Sequence, residues 1–337
     1  MHGERIRVAV VGAGLAGLAA ADTLVDAGAE VVLLEARDRV GGRVHSRELP
    51  NGAVAELGAE FILPGNDTIR AFVERFGLGF WEKGMRYGER EPRGGIGVDA
   101  AALDEALRLL ADCLPSVAPG TSAGALLDSL PLDPGAREAV QARLEVSSAA
   151  SADEVEATAL AGLAAHSDDV CPSIAGGNQR LPFALAAALG PVVHLSSPVE
   201  RIGWGDGRVV VSGGGAEVEA DRVVLAIPAS VIGRIAFDPP LPEPLRAAYA
   251  AVEYGHAAKL FVPLVEEAAP SAVLSVPERY WSWTATGESG VQPVVNAFAG
   301  SAAALARLRV DEGAGTWAES LARLRPDLGL ARDEAVL

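Results

Sequence analysis

The chain of 337 residues contains only two cysteines, Cys113 and Cys171, with no CxxC spacing. That excludes a disulfide scaffold and a cysteine-built zinc site. Aromatic residues make up 5% of the chain, so the interior must be packed from small aliphatic side chains. Positive charge is also scarce. Lys and Arg number 28 against 45 Asp and Glu, a net charge of −17. A protein of that balance lacks the clustered cations that hold a phosphate backbone, so nucleic acid is excluded as a partner, and an anionic membrane surface is disfavoured. No run reaches the 18 or more apolar residues of a membrane span. What the chain has in quantity is hydrophobic residues, 50%. This is enough for a sizeable core in one large or two ordinary domains, and the surface carboxylates read as those of a soluble cytoplasmic protein.

The apolar stretch Val8–Ala21 follows Arg5 and Arg7 and has the outline of a secretory leader. Its internal pattern points elsewhere. Ile6–Val11 is β-branched and apolar without alternation, as expected of a parallel strand buried on both faces. The turn Gly12-Ala13-Gly14-Leu15-Ala16-Gly17 follows, then a small-residue helix to about Asp26, a stop at Gly28 and a second buried strand, Val31–Leu34. Glu35 closes that strand, 18 residues past Gly17. In such a βαβ unit Gly12 permits the tight turn, Gly14 lets the backbone approach a pyrophosphate, and Gly17 lets helix and strand touch. The helix N-terminus offers N–H groups to phosphate, and Glu35 can accept hydrogen bonds from ribose hydroxyls. The pattern predicts dinucleotide binding.

The residues after Glu35 distinguish FAD from NAD. A nicotinamide domain would continue into a helix. Here Ala36-Arg37-Asp38-Arg39-Val40-Gly41-Gly42-Arg43 forms a loop in which Gly41 and Gly42 allow close backbone approach and Arg37 and Arg43 can meet phosphate charge. Further on, His166, Asp168, Asp169 and Cys171 make a metal-like string, but without a recognised ligand spacing and beside Pro172, so they read as a solvated polar loop.

GAGLAG followed by LLEARDRVGGR resembles the flavin-containing amine oxidase family. The likeness continues in Ala55-Glu56-Leu57-Gly58-Ala59-Glu60-Phe61-Ile62, in the turn Gly176-Gly177-Asn178-Gln179-Arg180-Leu181-Pro182, and in Pro198–Ile202 and Ala220–Pro228. The resemblance implies FAD as cofactor, held by Gly12, Ala13, Gly14, Leu15, Ala16, Gly17, Glu35, Ala36, Arg37, Gly41, Gly42, Arg43, Gly58, Ala59, Glu60, Phe61 and Val199. It implies an α/β fold: a Rossmann-like FAD-binding domain, with a parallel sheet and β-meander, carrying an inserted α+β substrate domain. The corresponding boundaries are 1–62 and 175–232 for the FAD domain, 63–174 for a helical part of the substrate domain and 233–337 for its strands and remaining helices. It implies oxidation of a small-molecule amine by hydride transfer to flavin N5 with oxygen as acceptor.

Lys259, between apolar neighbours in Tyr254–Val262, matches the family lysine that holds a water beside N5. Without the resemblance it reads as a lysine whose stem lies on apolar surface with its head in water. Arg86 is the cation nearest to hand for a substrate carboxylate, but reads better as a surface arginine in the charged stretch Lys83–Arg93. Trp281 and Trp283 share one strand face. The family's last flavin-binding segment, a strand and turn before a helix, has no counterpart before Leu337. That absence leaves a second class open: a truncated, split or degenerate non-catalytic FAD-fold protein, a homo-oligomer or one whose partner chain completes the flavin site. Desaturase-like or protoporphyrinogen-oxidase-like chemistry shares the N-terminal signature.

Overall fold

The computed structural model describes residues 5–165, 169–287 and 290–337. Its organising element is strand β1 (Arg7–Val11), followed by helix α1 (Leu15–Asp26) and strand β2 (Glu30–Leu34). β1 is central. It pairs in parallel with β2 on one side and with the strand Arg222–Leu225 on the other, and Val193–His194 lies beyond β2. The period-2 alternation of a strand, with both faces covered, explains why Val8–Val11 are all apolar. Val8 and Val10 face Leu18 and Ala21 of α1 and Leu181 and Leu185 of the helix Arg180–Leu189. Ala9 and Val11 face the opposite way, against Ile202, Val209 and Val211.

Those last residues belong to a second, mostly antiparallel sheet in which Arg208–Gly213 pairs with both Arg201–Gly205 and Ala216–Ala220. The hairpin between Gly213 and Ala216 turns at Gly214 and Gly215, both at positive φ, as a tight two-residue turn requires.

A third sheet of five strands contains, in order, Ala257–Pro263, Val294–Gly300, Tyr280–Thr284, Ser271–Ser275 and Glu91–Arg93. One cluster on it gathers Trp317 and Leu321 of the helix Gly315–Leu324. Another gathers Ala139, Ala142 and Val146 of the helix Pro134–Ser148 with Trp281 and Trp283. The helix Ala100–Cys113 completes a separate helical core with Leu126, Leu127 and Leu144. The chain leaves the first layer and returns to it side by side: the Ile62 N–H donates to the Pro172 carbonyl at 2.9 Å.

The polar string at 166–171 differs from expectation where it can be seen. His166 and Asp168 lie outside the described residues. Cys171 is buried, 2% exposed, rather than solvated. Burial, with Asp169 nearby, pushes its thiol up to about 11, so it stays protonated. Among the described residues no group of three His, Cys, Asp or Glu is placed to hold a metal ion, and no helix is long and apolar enough to cross a membrane.

Candidate functional site

The Gly12–Gly17 turn is built by contacts that a side chain would abolish. A Cβ on Gly17 would stand 1.8 Å from the Gly12 carbonyl oxygen, and Gly12 itself adopts φ +100°. Gly14 is different: a Cβ there would meet nothing within 4 Å. Gly14 is also the N-cap of α1, and no side chain caps that end. The helix therefore presents uncapped N–H groups, with the positive end of its dipole, to open space. The GGR loop closes over the same turn. Gly41 N–H donates to the Ala13 carbonyl at 2.8 Å, Gly14 and Gly41 form a parallel bridge, and Gly42 lies against the Gly14 Cα. Glu35 is buried and accepts from the Ala13 N–H at 2.7 Å and the Arg37 N–H at 2.9 Å. Its carboxylate thus fixes the turn and keeps lone pairs to spare. An open glycine at an uncapped helix start, with a buried acid beside it, fits a dinucleotide pyrophosphate and ribose.

The other expected residues divide. Ala36, Arg37 and Arg43 are exposed, while Leu15 and Ala16 open α1. Arg39, not singled out from sequence, braces the loop by donating to the Val40 and Gly42 carbonyls. Val199 packs against the layer containing Ile202 and Val211, and its neighbour Ser197 donates to the Glu35 carbonyl. Gly58 and Ala59 lie against Arg43: the Ala59 N–H donates to its carbonyl at 3.0 Å, and a Cβ on Gly58 would stand 1.9 Å from that oxygen.

The segment 56–60 is pinned from two directions. From one side the Asn178 N–H donates to Glu56 Oε1 at 2.7 Å, Ser46 Oγ donates to Glu56 Oε2 at 2.8 Å, and Asn178 Nδ2 donates to the Ala59 and Glu60 carbonyls. Burial raises the Glu56 carboxyl above its ordinary value, opposed by those hydrogen bonds. From the other side Lys259 Nζ donates to the Glu56 carbonyl at 2.7 Å, the Gly58 carbonyl at 2.8 Å and Glu60 Oε2 at 3.0 Å. Its three N–H groups are spent on protein oxygens, so holding a water would require one of these bonds to be given up.

Glu60 is the centre of a buried charge cluster. Lys83 Nζ donates to Oε1 at 3.0 Å and Trp283 Nε1 to the same oxygen at 3.2 Å. Burial works to raise the Glu60 carboxyl, but the charges of Lys83 and Lys259 outweigh it and hold the group at about 2. Within the charged stretch 83–93, Lys83 is buried, 5% exposed, while Arg86 is exposed, as its reading as a surface arginine expects. Beside the cluster stand four rings. Phe61 meets Tyr87, Trp281 and Trp283 at centroid distances of 5.1, 5.6 and 5.8 Å, and the two tryptophans stack at 4.2 Å.

The family described as flavin-containing amine oxidoreductase matches residues 15–328. A putrescine oxidase of Kocuria rosea is 33% identical over 288 residues, covering 70% of this chain and 59% of the relative. The chain thus spans about three-fifths of that protein's length. A polyamine oxidase of Oryza sativa subsp. japonica is 30% identical, covering 88% of this chain and 67% of its own. A solved structure of putrescine oxidase bound to putrescine superposes with a TM-score of 0.82 at 25% identity, covering 99% of this chain and 84% of that one. The chain belongs to the flavin-containing amine oxidoreductases, a family whose cofactor is FAD.

Proposed function

We propose that this chain carries out FAD-dependent oxidation of a small-molecule amine. The observation that carries the reading is the pairing of an open Gly14 at an uncapped helix start with a buried lysine–carboxylate cluster beside an aromatic wall, in a chain of this family. The relatives that act on putrescine and polyamines support an amine as substrate.

In this reading residues 1–62 and 175–232 form a Rossmann-like FAD domain, and 63–174 with 233–337 form the substrate domain. Gly12–Gly17 and the α1 N-terminus would hold the pyrophosphate, Glu35 a ribose, and Gly41–Arg43 the covering loop. Ala36 and Arg37 would flank the nucleotide, Val199 would back the same end, and Gly58–Phe61 would face the ring. Bound FAD supplies the hydride acceptor for the amine's α-carbon, with oxygen as the final oxidant. The protein's part is positioning and electrostatics. Lys259 and Asn178 hold the 56–60 backbone rigid from two sides. The half-buried charge of Lys259 acts as a fixed cation, which favours negative charge developing nearby. Phe61, Trp281 and Trp283 keep water from the reacting end. Its carboxylate-rich composition and two free cysteines suit a cytoplasmic setting.

The test is amine-dependent peroxide formation by the FAD-loaded protein, with putrescine, a monoamine and an amino acid compared. Peroxide with none of them, from protein that binds FAD, would overturn the reading.

A further inference from the structure

At the far side of the aromatic cluster from Glu60 lies a pair of arginines without a counter-charge among the described residues. The Arg90 guanidinium stacks over Trp281, 4.4 Å from the ring centroid, and lies 5.5 Å from that of Tyr87. Its Nη1 donates to Ser147 Oγ at 2.9 Å, and the Tyr87 hydroxyl is its other hydrogen-bonding neighbour. Its Nε is buried with no partner. The indole Nε1 of Trp281, the ring it stacks on, is likewise buried and unpartnered. Arg143 is the second cation. It donates to the Leu163 carbonyl and is close enough to repel Arg90. Neither arginine forms an ion pair with a described carboxylate. Glu60 is held by the two lysines. Glu145, on the same helix as Arg143, is taken by Arg279 and Gln141. Burial lowers both guanidinium groups, Arg90 to about 10, which leaves them charged at neutral pH.

Two half-buried cations that repel each other, with no described carboxylate paired to either, are an expensive arrangement in a protein alone. A bridging water would satisfy an N–H but not the charge. The Nε–Nη2 edge of a guanidinium is the fork that grips a carboxylate through two parallel hydrogen bonds, and here Nη1, on the other side, is the nitrogen already engaged by Ser147. We propose that Arg90 and Arg143, with the Trp281 indole N–H, bind the carboxylate of a small molecule whose apolar part lies on the aromatic cluster. Ser147 is exposed, so the site borders solvent. The carboxylate is either that of the amine substrate itself or that of a separate ligand. The proposal concerns binding alone and does not rest on the flavin reading.

The test uses three probes of one chain length, hexanoate, hexylamine and 2-aminohexanoate, against sodium chloride at matched ionic strength. Binding is followed by calorimetry and by tryptophan fluorescence, since Trp281 forms the floor of the site. Hexanoate is expected to bind saturably, with hexylamine and chloride showing no such binding. Arg90→Gln and Arg143→Gln should each weaken hexanoate at least tenfold, and Arg90→Lys should restore only part. If 2-aminohexanoate binds more tightly than hexanoate only in FAD-loaded protein, the carboxylate belongs to the substrate; equal binding with and without FAD marks a separate ligand. Either result supports the site. Hexanoate binding no better than chloride, or hexanoate affinity unchanged in Arg90→Gln, overturns it. Should Arg90→Gln fail to fold by circular dichroism, Arg143→Gln and Trp281→Phe carry the same comparison, and unchanged affinity in both overturns the proposal equally.

Discussion

Lys83 and Lys259, the only two lysines in the chain, meet on one carboxylate: each places its Nζ 3.0 Å from a different oxygen of Glu60. Every other basic side chain, histidines apart, is an arginine. A buried cluster of two cations and one anion depends on its central member, since removing one partner leaves the others desolvated and unpaired. Glu60→Gln should therefore cost about 3–5 kcal/mol, measured by denaturant unfolding at neutral pH. With Nζ-labelled lysine the protein should give two side-chain nitrogen resonances, and both should move in Glu60→Gln. Movement of only one would show that the lysines do not share this carboxylate.

The same carboxylate sets an acid dependence. Its folded value of about 2 lies below the ordinary 4.5. A depressed carboxyl contributes stability above its unfolded value and loses it as the pH falls toward its folded value. The window is thus about pH 4.5 down to 2, and the loss is on the order of 3 kcal/mol. Glu56, raised by burial, works with the opposite sign, because its charged form is disfavoured and acid relieves it. Unfolding free energy measured across this range should fall less steeply in Glu60→Gln than in the parent. Equal slopes would remove Glu60 from the acid response.

Lys259→Met deletes three donors and leaves the Glu56 and Gly58 carbonyls without them. Stability should fall by about 3–5 kcal/mol, and reoxidation of reduced flavin by oxygen should slow by more than FAD affinity falls. Unchanged reoxidation in stopped-flow measurements would confine Lys259 to holding the 56–60 backbone.

How much of this was legible in the sequence follows from the range of the contacts. The βαβ unit was readable because its information is local: β1 is buried on both faces, Gly17 touches Gly12 five residues away, and Glu35 closes the next strand. The Gly213–Ala216 hairpin was readable for the same reason. Lys259 stood out only through the family resemblance. Its partners lie about 200 residues away, so the sequence could suggest a functional lysine but not that its three protons are already engaged. The partners of Lys83 and Arg90 were not legible in the charged stretch that holds them. The rings of Phe61 and Trp281, which reach them from distant segments, leave Lys83 buried and Arg90 half-buried. The scarcity of lysine was a usable signal that composition alone offered: in a chain this rich in arginine, each of two lysines invites a reason.

Glu35→Ala should weaken FAD binding by about 1–3 kcal/mol, and it also frees the Ala13 and Arg37 N–H groups it now holds. Glu35→Gln, which retains an acceptor, should lose less. Isothermal titration with FAD separates the two, and equal losses would mean that charge rather than hydrogen bonding fixes the turn.

Gly14 tests the central claim most directly, because the turn's glycines respond oppositely to one added methyl group. Gly17→Ala drives a Cβ into the Gly12 oxygen and should destabilise the fold by about 1–3 kcal/mol or more. Gly14 has φ −70° and ψ 175°, a conformation open to any residue, and free space where its Cβ would stand. Gly14→Ala should therefore leave the unliganded protein's stability within about 1 kcal/mol of the parent. The measurement is FAD titration of Gly14→Ala beside the parent, with NADH as the control ligand. The account predicts saturable FAD binding by the parent, at least tenfold weaker binding by Gly14→Ala, and negligible NADH binding by either. Equal FAD affinity in the two proteins, or binding of NADH without FAD, would contradict it.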